Sequence, residues 1–147
     1  MTSTRTIVTA TAVAGTLDIL AATGLTLFYG RITVPDMLRF VASGPFPAAP
    51  QWGGAGALLG LAVHYALMAI MVAIFVLAIR RRPQLNANSL LSGIGYGLMT
   101  YVVMNLLVVP IRFGVWPPKP LSILTQLFCH IMLVGIPIAV IARRSAR

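Results

Sequence analysis

The sequence predicts an all-α integral membrane protein, a four-helix transmembrane bundle with a short interfacial helix in its first outer loop. Three observations lead there. Of the 147 residues, 59% are apolar and only 9% are charged, against roughly 25% charged in soluble domains. The chain cannot cover a globular surface with so few charges, and a mean hydropathy of +0.93 excludes a disordered polar chain. Finally, the apolar residues gather into four runs of about 20 residues, the length that crosses a hydrocarbon core. Backbone groups inside lipid must be satisfied within the segment, which leaves helices as the structure of such runs.

The first span covers residues 7–29. Arg5 precedes it, as in a signal peptide, but the run is longer than the roughly 7–15 apolar residues of a signal core and carries Asp18 at its centre. It reads as a retained span. Residues 31–52 connect it to the second. Within them Thr33-Val34-Pro35-Asp36 has the spacing of a helix-capping box with proline in the first turn. Met37, Leu38, Phe40 and Val41 follow at helical spacing until Ser43-Gly44-Pro45, which predicts the interfacial helix. The second span covers 53–79 and stops at Arg80-Arg81-Arg82-Pro83. After a polar loop over 86–89, the third span covers 90–111. Residues 112–120 form a proline-rich turn, and the fourth span covers 121–142, before Arg143 and Arg144. Residues 1–147 are thus read as one transmembrane domain.

The formal net charge of +9 comes from 11 Lys and Arg against 2 Asp and Glu. Seven bases, Arg5, Arg80, Arg81, Arg82, Arg143, Arg144 and Arg147, fall on one side of the bundle. Four, Arg31, Arg39, Arg112 and Lys119, fall on the other. The positive-inside rule places both termini in the cytoplasm. Bases divided between two membrane faces do not form a nucleic-acid surface, and the bilayer is the partner they indicate. Trp52 and Trp116 read as interface anchors.

Glycines four residues apart, Gly56/Gly60 and Gly93/Gly97, mark faces where helices can approach closely. Such faces pack the bundle itself, or meet a second copy or partner helices of a larger complex. A faint internal repeat aligns Leu58, Leu61, His64 and Leu67 with Leu124, Leu127, His130 and Leu133.

Polar residues at membrane depth are costly and face the bundle interior or a cavity. At 1.5 Å per residue, Asp18 lies about 16 Å below the outer end of its span, and His64, Tyr101 and His130 about 13 Å below theirs. Asn105 and Gln126 lie four residues from Tyr101 and His130, on the same helix faces. Asp18, His64, Tyr101, Asn105, Gln126 and His130 therefore form the candidate ligand- or proton-binding set. A carboxylate beside a histidine at the midplane suits a proton relay. The same network could instead lock the bundle's register, as expected of a structural or assembly subunit. His64 and His130 are also the candidate metal ligands, either as axial ligands of haem b or, with Asp18, of zinc. No cofactor is required by any motif. Cys129 is the only cysteine, so no internal disulfide forms. Ser43, Ser89, Ser92 and Ser122 lie near span ends, away from both histidines, which gives nucleophilic catalysis little support. With no Glu in the chain, nothing marks an enzyme.

Gly95-Tyr96-Gly97-Leu98, Asn105, Pro110, Pro117-Pro118, His130 and Arg143-Arg144, with Val63-His64 in the second span, resemble the small bacterial inner-membrane proteins of the YagU type over the last two-thirds of the chain. The resemblance implies a multi-pass protein of the bacterial cytoplasmic membrane. Where that family has a further histidine in the third span, this chain has Asn105.

Overall fold

The computed structural model describes residues 3–116 and 119–145. Pro117, Pro118 and Arg147, which entered the resemblance and the base count, lie outside the described residues. All regular structure among the described residues is helical. Helix α1 spans Ser3–Tyr29, α2 spans Val34–Ser43, and a 3₁₀ turn over Ala49–Trp52 leads into α3, Gly53–Arg81. Helix α4 covers Ser89–Phe113, and α5 runs from Pro120–Phe128 through a π segment to Ile136–Ser145. Helices α1, α3, α4 and α5 are long and apolar enough to cross a membrane. These four helices cover the four apolar runs of the sequence, extended by a few residues at most ends.

Helix α2 forms because its first turn is fully capped. The Thr33 hydroxyl oxygen accepts from the Asp36 amide at 3.2 Å, and Asp36 Oδ2 accepts from the Thr33 amide at 3.3 Å. Arg39, one turn on, pairs with the other Asp36 oxygen. At the opposite end, Arg112 donates from Nε to the Gly44 carbonyl at 2.7 Å and from Nη2 to that of Ser43 at 2.8 Å. A guanidinium there satisfies the last free carbonyls and suits the negative end of the helix dipole. Phe40 stacks on Phe113 with ring centroids 4.4 Å apart. Helix α2 is therefore clasped between α3 and the end of α4.

The glycine faces are filled from within the chain. A Cβ on Gly56 would strike the Ala49 carbonyl, and one on Gly60 the Leu38 carbonyl. A Cβ on Gly93 or Gly97 would strike the α5 backbone at Ile136 or His130–Ile131, and Gly135 faces both glycines from the other side. The faces at Gly56/Gly60 and Gly93/Gly97 are thus met within the chain by the Ala49 turn, α2 and α5.

Two π segments interrupt the spans, Val102–Val108 in α4 and Cys129–Gly135 in α5. Each is followed, two residues past its end, by a proline: Pro110 and Pro137. Proline lacks an N–H and crowds the preceding turn, and widening that turn to π spacing accommodates both effects. Helices α1 and α3 carry no such interruption. The internal repeat of the sequence therefore does not extend to helix geometry.

The apolar core occupies the arginine-rich half of the bundle. Ala10, Ala14, Met68, Val72, Phe75, Tyr96, Val134, Ile138 and Ala142 pack there with almost no exposure. Tyr96 ties α4 to α3, its hydroxyl donating to the Met71 carbonyl at 2.5 Å. A cavity of about 430 Å³ lies in the half nearer α2, between α1, α2 and α5, and another of about 560 Å³ lies toward the arginine-rich end, between α3 and α4.

Candidate functional site

The polar residues sit between the apolar core and the cavity nearer α2. Helix α1 brings Asp18. Its neighbour Gly15 is buried, and a Cβ there would meet the Tyr65 ring at 2.8 Å. The missing side chain lets α3 come close enough for His64 Nε2–H to donate to the Gly15 carbonyl at 2.9 Å. One residue further, Thr16 Oγ1 and the Tyr65 hydroxyl share a hydrogen bond of 2.8 Å. His64 and Tyr65 together grip one turn of α1. That grip turns His64 Nδ1 toward Asp18, whose Oδ2 lies 4.0 Å away. Of the pair, His64 keeps 11% of its side-chain surface exposed and Asp18 keeps 24%, so the carboxylate stays reachable.

Helix α5 brings His130, the second residue of its π segment. At a change from α to π spacing the backbone ladder loses a regular bond. His130 Nδ1–H donates to the Gln126 carbonyl at 2.8 Å, within its own helix. The ring is buried, and the Tyr101 ring packs on it edge-on at 5.9 Å between centroids. Tyr101 is placed by the close crossing of Gly97 with His130 and Ile131, one turn earlier on α4. Asp18 lies in direct reach of the His64 ring, and α1 packs against the π segment that carries His130.

The six expected residues thus divide. Asp18, His64, His130 and Tyr101 come together. Gln126 lines the wall of the cavity, one turn toward α2 from His130. Asn105 is half-buried on the α4 π segment and does not line that cavity. Tyr65 and Thr16 are part of the site and were missed, because a tyrosine and a threonine inside an apolar run read as packing. The available signal was their neighbours, His64 and Gly15. Buried Thr11 Oγ1, seven residues before Asp18 on the same face, has no hydrogen-bond partner among the described residues.

Chemically, the arrangement suits a proton. With Nε2–H held by Gly15, a neutral His64 presents the lone pair of Nδ1 to Asp18, and a lone pair facing a carboxylate is repulsive. One proton on either group turns that contact into an attraction. His130, with Nδ1–H held by Gln126, has Nε2 as the nitrogen that can gain or lose a proton. Metal chemistry finds less purchase. Among the described residues no three His, Cys, Asp or Glu side chains gather as a metal-holding group, so the zinc set of His64, His130 and Asp18 is not assembled. Both His64 nitrogens are already engaged, one by Gly15 and one facing Asp18. Cys129 is a buried free thiol.

The fold and site define a class: a helical bundle with four helices long and apolar enough to cross a membrane and a carboxylate–histidine pair midway along two of them. No protein family, curated protein or solved structure matches the chain.

Proposed function

We propose that the chain is a small multi-pass protein of the bacterial inner membrane that binds and relays protons through Asp18, His64 and His130. The resemblance to YagU-type proteins and the seven-to-four division of bases support that membrane, with both termini cytoplasmic and α2 facing outward. The observation that carries the function is the Asp18–His64 geometry: a 4.0 Å approach in which the histidine's other nitrogen is committed to a backbone carbonyl. Such a pair is held together by a single proton.

Access is one-sided in this reading. Ala22 and Gln126 line the cavity, each one turn, about 6 Å, from Asp18 and His130 on the same helix faces. Toward the arginine-rich end, the dry core of Ala14, Met68, Val72 and Val134 closes the path. A proton entering from the α2 side reaches Gln126, then His130 and Asp18, and is retained at His64.

The alternative is a structural or assembly subunit, favoured by the grip of His64 and Tyr65 on α1. The two readings separate on variants. Asp18→Asn, His64→Ala and His130→Ala should leave expression and helix content intact if the cluster is a proton site. Collapse of folding in all three supports the structural reading instead. The direct test is infrared difference spectroscopy of the purified protein across a pH jump. A protonated-carboxyl band that appears in the wild type and is lost in Asp18→Asn is the expected result. Absence of any carboxyl band from the wild type rejects proton binding at Asp18.

A further inference from the structure

The cavity between α1, α2 and α5 has a composition that the proton reading does not use. Its mouth carries Arg31 and Lys119, its walls are apolar residues such as Leu25 and Leu121, and Gln126 lies deepest along α5. Its volume of about 430 Å³ lies within the range of small-molecule sites, roughly 300–1,000 Å³.

The charge inventory of the whole chain bears on this mouth. Only two side-chain carboxylates exist, Asp18 and Asp36. Asp18 lies mid-span beside His64. Asp36 is engaged by Thr33 and Arg39, and the Thr33 hydroxyl followed by the Arg39 guanidinium holds its carboxyl below the usual carboxylate range. No acid remains to neutralise Arg31 or Lys119, so two like charges line one cavity. Lys119 also gives no side-chain cap to the α5 N-terminus, whose backbone dipole adds positive potential at the same place. Bases at helix ends commonly anchor to headgroups, yet these two share a concave, apolar-walled site.

We infer that this cavity binds a monoanionic amphiphile, with the acidic headgroup between Arg31 and Lys119 and the apolar body against Leu25 and Leu121. The inference rests on the cavity and its charges, and does not require the Asp18–His64–His130 cluster to carry a proton. The same chemistry could arrive as a free alkyl carboxylate or as an anionic phospholipid entering from the bilayer.

Calorimetric titration of the full chain in a nonionic detergent tests this with three probes. These are octanoate, dioctanoyl phosphatidylglycerol, and zwitterionic dioctanoyl phosphatidylcholine. Saturable binding of octanoate or the phosphatidylglycerol at one site, without binding of the phosphatidylcholine, is expected. The tighter of the two anions identifies the source. The double variant Arg31→Gln/Lys119→Gln, at exposed positions, should weaken that binding by about tenfold or more, and Ala22→Trp should block it by filling the cavity. Arg80→Gln, at the other end of the bundle, should bind as the wild type does. Failure of both anions to saturate, equal binding of the phosphatidylcholine, or unchanged affinity in the double variant would each overturn the inference.

Discussion

His64 shows how much a single side chain is fixed by what surrounds it. Its orientation is set from α1, by the absence of a side chain at Gly15 and by a backbone carbonyl that has a lone pair to spare. Its Nδ1 then faces Asp18. The charged and ionisable members of the cluster were legible in the sequence because each stands out in an apolar run, where its cost demands a reason. Tyr65 was not legible, since an aromatic residue at membrane depth is ordinary packing until its hydroxyl is seen to meet Thr16. Tyr65→Phe should lower resistance to unfolding in sodium dodecyl sulfate by about 0.5–1 kcal/mol, because one hydrogen bond is lost while the ring stays. Gly97→Val should cost about 3 kcal/mol in the same assay, because the added atoms meet the α5 backbone at His130 and Ile131 rather than a yielding side chain. A Gly97→Val protein as stable as the wild type would mean that α4 and α5 do not cross there.

At the scale of elements, α2 was readable from four residues, Thr33 to Asp36, because a capping box is a local signal complete in itself. What packs on α2 was not readable. Gly56 and Gly60 announced a close approach but not that the partner would be the chain's own α2. The π segments were also missed, although Pro110 and Pro137 were in view. Prolines are tolerated in membrane helices through several local adjustments, and sequence alone does not select among them. Replacing Pro137 with Ala should let α5 regain α spacing and rotate His130 away from Tyr101, read as loss of the ring-current shift between the two rings in NMR spectra. For α2 the prediction is a pH effect. Its cap hydrogen bonds stabilise the ionised Asp36 and hold its carboxyl below the usual range. That stabilisation is present at neutral pH, where Asp36 is ionised in folded and unfolded chains alike, and is lost as pH falls below about 4. Amide exchange in α2 should accelerate in that window. In Thr33→Ala exchange should already be faster at neutral pH, for a cap contribution of about 1 kcal/mol.

The whole molecule is divided across its length. The apolar core fills the centre of the arginine-rich half, with a cavity between α3 and α4 beside it, the other half holds a cavity lined by Arg31 and Lys119, and the ionisable cluster lies between the core and that second cavity. Composition and span lengths disclosed the bundle, but nothing in the order of residues disclosed which half would be packed, since both are equally apolar. Substituted cysteines on a Cys129→Ala background read this division directly. Gln126→Cys should react with a charged thiol reagent, while Ala10→Cys and Ile138→Cys should stay inert. A cysteine at Ser89 should be labelled from the cytoplasmic side only, and labelling from outside would reverse the orientation. The proposed function turns most on the contact between Asp18 and His64. Nitrogen NMR of the imidazole side chains in the wild type and in Asp18→Asn tests it most directly. The expected result is a His64 ring protonated at Nε2, the nitrogen bonded to the Gly15 carbonyl, with an Nδ1 signal that moves in Asp18→Asn because that nitrogen faces the carboxylate. A His64 Nδ1 signal identical in the two proteins would contradict it.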